Sequence, residues 1–292
     1  MKDWKIYTLE WGNRGETKSA GKELGEFLKK LWPEDVKRKW VPRCVLSKEE
    51  VVKYIRKTDE LDRKILAVYP ECGNHHYTYG LCKGIADKRS SEYVYWHFDY
   101  HTDDNPPTSK VNDSLDYSIL CDQSFVGPIL QDTNAVDVKF EANKFFPIIN
   151  SKGLEKKIID TYLSIELDFM APSEIVLRYH EGTWKREDLL SKLNEILLKR
   201  NLISADCSGY FGHEDAKSLL LYACVCGRII GKDTTKLERL HNLAREGKLD
   251  YDQMFKTLGL SPSKIKYESL LTLKDLTTFN EYDAKFGRPI QF

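Results

Sequence analysis

Apolar positions along this chain fall into two periods that take turns. Short, dense apolar or alternating runs predict strands over residues 6–11, 65–69, 93–98, 135–140, 161–169 and 202–205. Between them, helices are expected over 19–31, 76–85, 116–130, 152–160, 185–199 and 218–230, from apolar residues three and four apart in all but 152–160, which is polar. In the first helix Leu24, Phe27, Leu28 and Leu31 share a face, and Pro33 ends it. In the fifth, Leu189, Leu190, Leu193, Ile196 and Leu197 do so. Strands that alternate with helices and lack tight hairpin signals imply an α/β fold, with a mostly parallel central sheet between two helical layers. In such sheets the chemistry sits beyond the carboxyl ends of the strands.

From residue 232 onward the pattern turns polar and helical, with a mixed stretch over 272–279. The expected organisation is one α/β catalytic domain over 1–231. A helical extension over 232–292 packs on it, available as a cap or a homo-oligomer contact.

Composition narrows the function classes. The chain has 292 residues, 41% hydrophobic and 31% charged, enough apolar material for a large core and too much for disorder. Lys plus Arg and Asp plus Glu number 45 each, so net charge gives no reason to expect nucleic acid or an anionic membrane as partner. The N-terminal residues lack a secretory apolar stretch, and no segment of membrane-spanning length follows. The seven cysteines, Cys44, Cys72, Cys82, Cys121, Cys207, Cys224 and Cys226, form no CxxC pair and are odd in number. Reduced thiols in a cytoplasmic protein are expected, with Cys224 and Cys226 as small buried residues.

Two segments carry metal chemistry. Asp99, His101 and Asp103 follow directly on the strand over 93–98. Side chains at i and i+2 point the same way on a strand, so these three converge if the extended backbone persists to Asp103. His97 is assigned to packing on the opposite face. Glu166 and Asp168 repeat the arrangement at the end of the strand over 161–169. A lone Asp at a strand end commonly caps a helix. Two such clusters meeting at one sheet edge would instead bring four carboxylates together, which repel and take up protons unless cations neutralise them. Oxygen and imidazole ligands favour Mn(II), Fe(II), Mg(II) or Zn(II), and paired ions acidify a water. His75 and His76 are adjacent histidines after a strand, and either is a candidate further ligand.

The run Asp99-Tyr-His101-Thr-Asp103-Asp-Asn105 resembles the Asp-x-His-x-Asp motif of ureohydrolases, members of the arginase/deacetylase superfamily. Ser164-Ile-Glu166-Leu-Asp168 is similar to their Ser-x-Asp-x-Asp, with Glu replacing the first Asp. Residues 73–80 resemble their Gly-Asp-His-Ser-x-x-x-Gly, and this alignment selects His75 over His76. Two further segments, over 122–140 and 203–210, resemble an arginase-like family that includes bacterial peptide arginases. The resemblance spans roughly residues 60–215 and leaves both ends of the chain outside it.

The resemblance implies a three-layer arginase-like fold and two Mn(II) per chain, with Fe(II) or Zn(II) as alternatives. One metal would be held by His75, Asp99, Asp103 and Glu166, the other by Asp99, His101, Glu166 and Asp168. The implied reaction is hydrolysis of a guanidino group on an arginine side chain within a peptide, giving ornithine and urea, with Asp168 stabilising the transition state. Free arginine or agmatine hydrolysis and deacetylase-like amide hydrolysis are the alternatives. The family's proton-shuttle histidine falls near Asp116, which is no histidine; His76 is the candidate donor, ahead of His180 and His213. Asn105 is matched to an arginase-like substrate residue, and Asp206, at a strand end, suits a cationic substrate; Glu214 and Asp215 are weaker competitors.

Overall fold

The computed structural model describes residues 4–11, 15–41, 46–56, 64–69, 75–101, 103, 110–111, 114–115, 119–120, 124–142, 160–176, 182–209 and 214–262. Its strands are β1 (Trp4–Trp11), β2 (Val36–Val41), β3 (Leu46–Ser47), β4 (Lys64–Tyr69), β5 (Tyr93–Phe98), β6 (Lys110–Val111), β7 (Ser114–Leu115), β8 (Ile119–Leu120), β9 (Ala135–Glu141), β10 (Asp160–Glu166) and β11 (Asn201–Ser208). Its helices are α1 (Gly15–Leu31), α2 (Lys48–Arg56), α3 (Tyr77–Lys88), α4 (Val126–Asp132), α5 (Arg186–Lys199), α6 (Ala216–Ile229), α7 (Thr235–Arg245) and α8 (Tyr251–Leu258).

Seven strands form one sheet in the order β2-β1-β4-β11-β10-β5-β9, and every pairing in it is parallel. Strand alternation sends the two side-chain sets to two cores. Leu66, Val68, Trp96, Phe98, Leu163, Ile165, Ala205 and Cys207 meet Leu24, Phe27 and Leu28 of α1, Leu189 and Leu193 of α5 and Leu219 to Cys226 of α6. Ala67, Tyr69, Tyr93, Tyr95, Tyr162 and Ile203 meet Val51 of α2, Leu81 and Ile85 of α3 and Ile129 of α4. The result is the expected α/β/α sandwich. Each fully buried Leu in it contributes about 1.5–3 kcal/mol. Over 219–227 helix α6 is apolar all round because it is covered all round, with Leu219, Leu220 and Leu221 at 0% exposure.

Leu237 and Leu240 of α7 and Met254 and Phe255 of α8 lie in the same core as α1 and α6. The chain beyond residue 231 is thus packed on the sandwich as far as 262. The stretch over 272–279 lies outside the described residues. So do Cys44, Cys72 and Cys121; Cys82, Cys207, Cys224 and Cys226 are free and buried. No described helix is long and apolar enough to cross a membrane.

Several elements differ from expectation. The helix expected over 116–130 is a short strand, β8, followed by the brief α4. Pro128 ends up in the first turn of α4, where its missing N–H costs nothing. The strand expected over 161–169 stops at Glu166, and Leu167–Phe169 form a 3₁₀ turn. Strand β2 and helix α2 were not anticipated. Strand β2 lies at one edge of the sheet and carries three cations in a row, Lys37, Arg38 and Lys39, the kind of charge that marks an edge strand. The helix expected over 152–160 falls outside the described residues except for Asp160, which opens β10.

Candidate metal centre

The carboxyl ends of β4, β5 and β10 deliver the candidate ligands to one edge of the sheet. Asp99 follows β5 directly, and Glu166 ends β10. His75 precedes α3, where its carbonyl accepts the Thr78 N–H at 2.9 Å. The 3₁₀ turn then swings Asp168 away from Glu166. That turn is pressed against Gly182, where an added Cβ would come within 2.0 Å of the Phe169 carbonyl carbon, so only glycine fits there. Asp103 arrives by a route that strand alternation does not describe. Its φ is 49°, a left-handed conformation that Asp and Asn tolerate better than most residues. Its carbonyl accepts the first N–H of α4, from Val126, at 3.2 Å.

Two ligand groups result, each with its potential donor atoms within 4.8 Å of one another. The first is His75, Asp99, Asp103 and Glu166, all buried. The second is Asp99, His101 and Asp168, which opens outward, with the His101 side chain 64% exposed. Asp99 belongs to both. All six expected ligands are brought together, and His75 rather than His76 takes part. Glu166 falls in the first group alone, whereas the resemblance implied that it would bridge.

The hydrogen bonds orient each ligand. His75 Nδ1 lies 2.8 Å from Glu166 Oε2 and 3.4 Å from Asp103 Oδ2. His101 Nδ1 lies 2.8 Å from Asp168 Oδ2 and 3.5 Å from Asp99 Oδ1. The backbone N–H of His101 donates to Asp99 Oδ1 at 2.6 Å, and that of Tyr100 donates to Asp168 Oδ1 at 3.0 Å. Both histidines thus present Nδ1 to carboxylates.

Electrostatics reflect an excess of acid. Burial, then the charges of Glu166 and Asp168, push the Asp99 carboxyl well above its ordinary range. Burial, then Asp99, does the same to Asp103, and burial raises Asp168. Hydrogen bonds to Asp168 and Asp99 lift His101 to about 11. For His75 burial opposes protonation, but the neighbouring Asp103, Asp206 and Glu166 carboxylates prevail and raise it well above the usual range. Among the described residues, Oδ2 of Asp99 and Oδ2 of Asp103, both buried, have no hydrogen-bond partner. Buried oxygens without donors are what a cation satisfies. Carboxylate and imidazole donors form a set suited to Mn(II), Fe(II) or Zn(II). These residues therefore fit a pair of divalent cations.

His97 lies on the face opposite to the one expected. Residues 97 and 99 are two apart and share a strand face, so His97 lies under the site. Its Nε2 is 3.0 Å from Asp99 Oδ2, without hydrogen-bond geometry, and its ring packs on Tyr95, Phe125 and Phe140. Burial, then the charge of His75, lowers it to about 4. His76 joins neither ligand group. It is buried at the start of α3, its ring 4.8 Å from that of Tyr77, which is a packing position in this conformation. Asp206, expected to face a substrate, is instead fully buried behind His75. Asn105, Asp116, His180 and His213 lie outside the described residues. Glu214 and Asp215 precede α6, where Asp215 accepts from the Lys217 N–H and so acts as a cap.

No family model and no curated protein matches the sequence. Solved structures do. Formimidoylglutamase from Bacillus subtilis subsp. subtilis str. 168 superposes with a TM-score of 0.54 at 14% identity, covering 80% of this chain and 88% of that one. Arginase from Bacillus caldovelox gives 0.52 at 16% identity, covering 80% and 99%. Agmatine ureohydrolase of Thermoplasma volcanium gives 0.52 at 12% identity, covering 89% and 92%. At these identities the likeness speaks for architecture: this chain shares the fold of these three structures.

Proposed function

We propose that the protein is a metal-dependent hydrolase of a guanidino group, acting on an arginine side chain within a peptide to leave ornithine and release urea. The observation that carries the hydrolase reading is the sharing of Asp99 between a buried ligand group and one that opens outward. Similar solved structures named as arginase, agmatine ureohydrolase and formimidoylglutamase support the same class.

His75, Asp99, Asp103 and Glu166 would hold one cation, and Asp99, His101 and Asp168 the other. Mn(II) is the proposed metal, with Fe(II) or Zn(II) compatible with the same donors. When bound, the pair supplies Lewis acidity and lowers the pKa of a water for attack on the guanidinium carbon. The chain's own residues set the rest. Backbone donors from Tyr100 and His101 fix the Asp168 and Asp99 carboxylates in place, so the site is organised before substrate arrives. The exposed His101 marks the side from which substrate approaches.

The preference for a peptide rests on the sequence segments over 122–140 and 203–210 and on the altered shuttle position. A peptide lacks the free α-amino and α-carboxylate charges that a free-arginine enzyme must pair or leave costly. Incubation of Mn(II)-loaded protein with arginine-containing peptides is expected to produce mass losses of one CH2N2 unit together with urea, and weak turnover of free arginine or agmatine. Efficient turnover of free arginine with unmodified peptides would reject the peptide reading.

A further inference from the structure

Behind His75, on the side away from Glu166 and Asp103, lies a buried carboxylate that neither ligand group contains. Strand β11 runs between β4 and β10, and its Asp206 stands in register with Ala67 on one side and Ser164 on the other. Asp206 is completely buried. Its Oδ2 accepts hydrogen bonds from Thr78 Oγ1 at 2.9 Å and from the Tyr162 hydroxyl at 2.8 Å. Its Oδ1 accepts from Ser164 Oγ at 2.8 Å and lies 3.3 Å from His75 Nε2. Ser164 Oγ is itself 2.8 Å from that same nitrogen.

The hydrogen-bond bookkeeping of this cluster has one consistent solution. A carboxylate offers only lone pairs, and the three hydroxyls around it each have one proton to give. Ser164 gives its proton to Asp206, so its remaining lone pair accepts from His75. Nε2 of His75 therefore carries a hydrogen and directs it at Ser164 Oγ and Asp206 Oδ1. That leaves Nδ1 as the nitrogen that faces Glu166 and Asp103. A carboxylate in the interior is costly unless its oxygens are well supplied with donors. Packing alone would be met by an apolar side chain at this sheet position, as at its register partner Ala67. A hydrogen-bonded carboxylate behind an imidazole ligand fixes the ring's tautomer and orientation and raises its basicity toward a metal.

We propose that Asp206, acting directly and through Ser164, is a positioning residue for His75, holding Nε2–H back into the sheet so that the Nδ1 lone pair is presented to a divalent cation. This assignment rests on the metal-site reading given above, and it replaces the substrate-facing place expected for Asp206 from sequence. Thr78 and Tyr162 hold the carboxylate in turn from α3 and β10, so the position of His75 is set by two neighbouring elements at once.

The test is direct titration of Mn(II) into metal-free full-length protein, with Asp206→Asn and Ser164→Ala beside the wild type. A second readout is the ¹⁵N spectrum of His75 in Zn(II)-loaded wild type. The expected result is a loss of affinity of about 10- to 100-fold in Asp206→Asn, a smaller loss in Ser164→Ala, and a His75 spectrum showing metal on Nδ1 with hydrogen on Nε2. Affinity within twofold of wild type in both variants would overturn the proposal while leaving the metal site standing. So would metal bound through Nε2. If Asp206→Asn does not fold, Ser164→Ala and the wild-type spectrum decide by the same criteria. A wild type that binds neither ion removes the metal-site reading, and this assignment with it.

Discussion

Two clusters of buried charge among the described residues are solved in opposite ways. Under α7, Arg186 donates to Glu238 O, His241 Nδ1, Glu187 and Asn242. His241 Nε2 donates to Glu174 O at 2.8 Å, and Arg245 reaches both oxygens of Glu174 at 3.1 and 3.2 Å. Acid and base are matched there, with only Arg186 Nε left over among the buried side-chain polar atoms described in this cluster. At the carboxyl ends of β4, β5 and β10, four carboxylates face His75 and His101, and among the described residues Asp99 and Asp103 each keep an oxygen without a hydrogen bond. The carboxyl groups register the difference. Against the effect of burial, a backbone hydrogen bond and the charges of Arg186 and Arg245 hold Glu187 below its ordinary range. Asp99, Asp103 and Asp168 are all pushed up. A buried cluster that the protein completes by itself is structural; one with acid in excess is built for cations.

The contrast can be broken most severely at Asp99, the residue common to both ligand groups. Asp99→Ala is expected to lose both cations and to lower guanidino hydrolysis by more than about 100-fold, since even residues behind a ligand cost 10- to 100-fold. Glu166→Ala, which touches the first group alone, is expected to keep one cation on the Asp99, His101 and Asp168 side. Metal analysis of the two variants checks this, and equal loss in both would restore a bridging role to Glu166.

At the matched cluster the expected loss is in stability. Arg245→Met leaves Glu174 buried with its principal cationic partner gone. Breaking a buried pair costs about 3–5 kcal/mol, and the 25% exposure of the Arg245 side chain places this case at or below the low end. Denaturant unfolding measures it, and a change within experimental error would mean that the cluster is not structural.

Asp103→Asn should do the reverse in metal-free protein. It removes one of four crowded acids and keeps a residue that tolerates the left-handed backbone at φ 49°. The metal-free melting temperature is expected to rise by a few degrees while protection by Mn(II) shrinks. A fall in the metal-free protein would show that the carboxylates do not repel.

The smallest effect concerns His241, which burial lowers to about 4. A histidine whose folded-state pKa is depressed contributes stability that is present above its unfolded value of about 6.5. That contribution is lost as pH falls toward 4. Stability should therefore drop by about 1 kcal/mol between pH 7 and 5.5. His241→Gln should flatten that part of the curve, and a slope unchanged in the variant would assign it elsewhere.

Much of this was legible in the sequence because it depends on local periodicity. Tyr93–Phe98 and Arg186–Lys199 show their strand and helix periods plainly, and the paired motifs around Asp99 and Glu166 placed the ligands at strand ends. What stayed hidden depends on the third dimension. Asp103 reaches the first group through a left-handed turn that two-residue alternation cannot express, and Asp168 leaves the Glu166 side because β10 gives way to a 3₁₀ turn. Asp206 looked like a strand-end acid facing a ligand. Only the sheet order, which puts β11 between β4 and β10, shows that it stands behind His75. The burial of His97 under Asp99 was available from simple counting of positions along β5.

The central claim is that the acid excess beside β4, β5 and β10 holds two cations around a shared Asp99. Titration of Mn(II) into metal-free protein, read by the free-ion electron paramagnetic resonance signal, tests it most directly. Two Mn(II) per chain are expected, with release of protons as the raised histidines yield their Nδ1 positions. A single bound ion, or none, would contradict it.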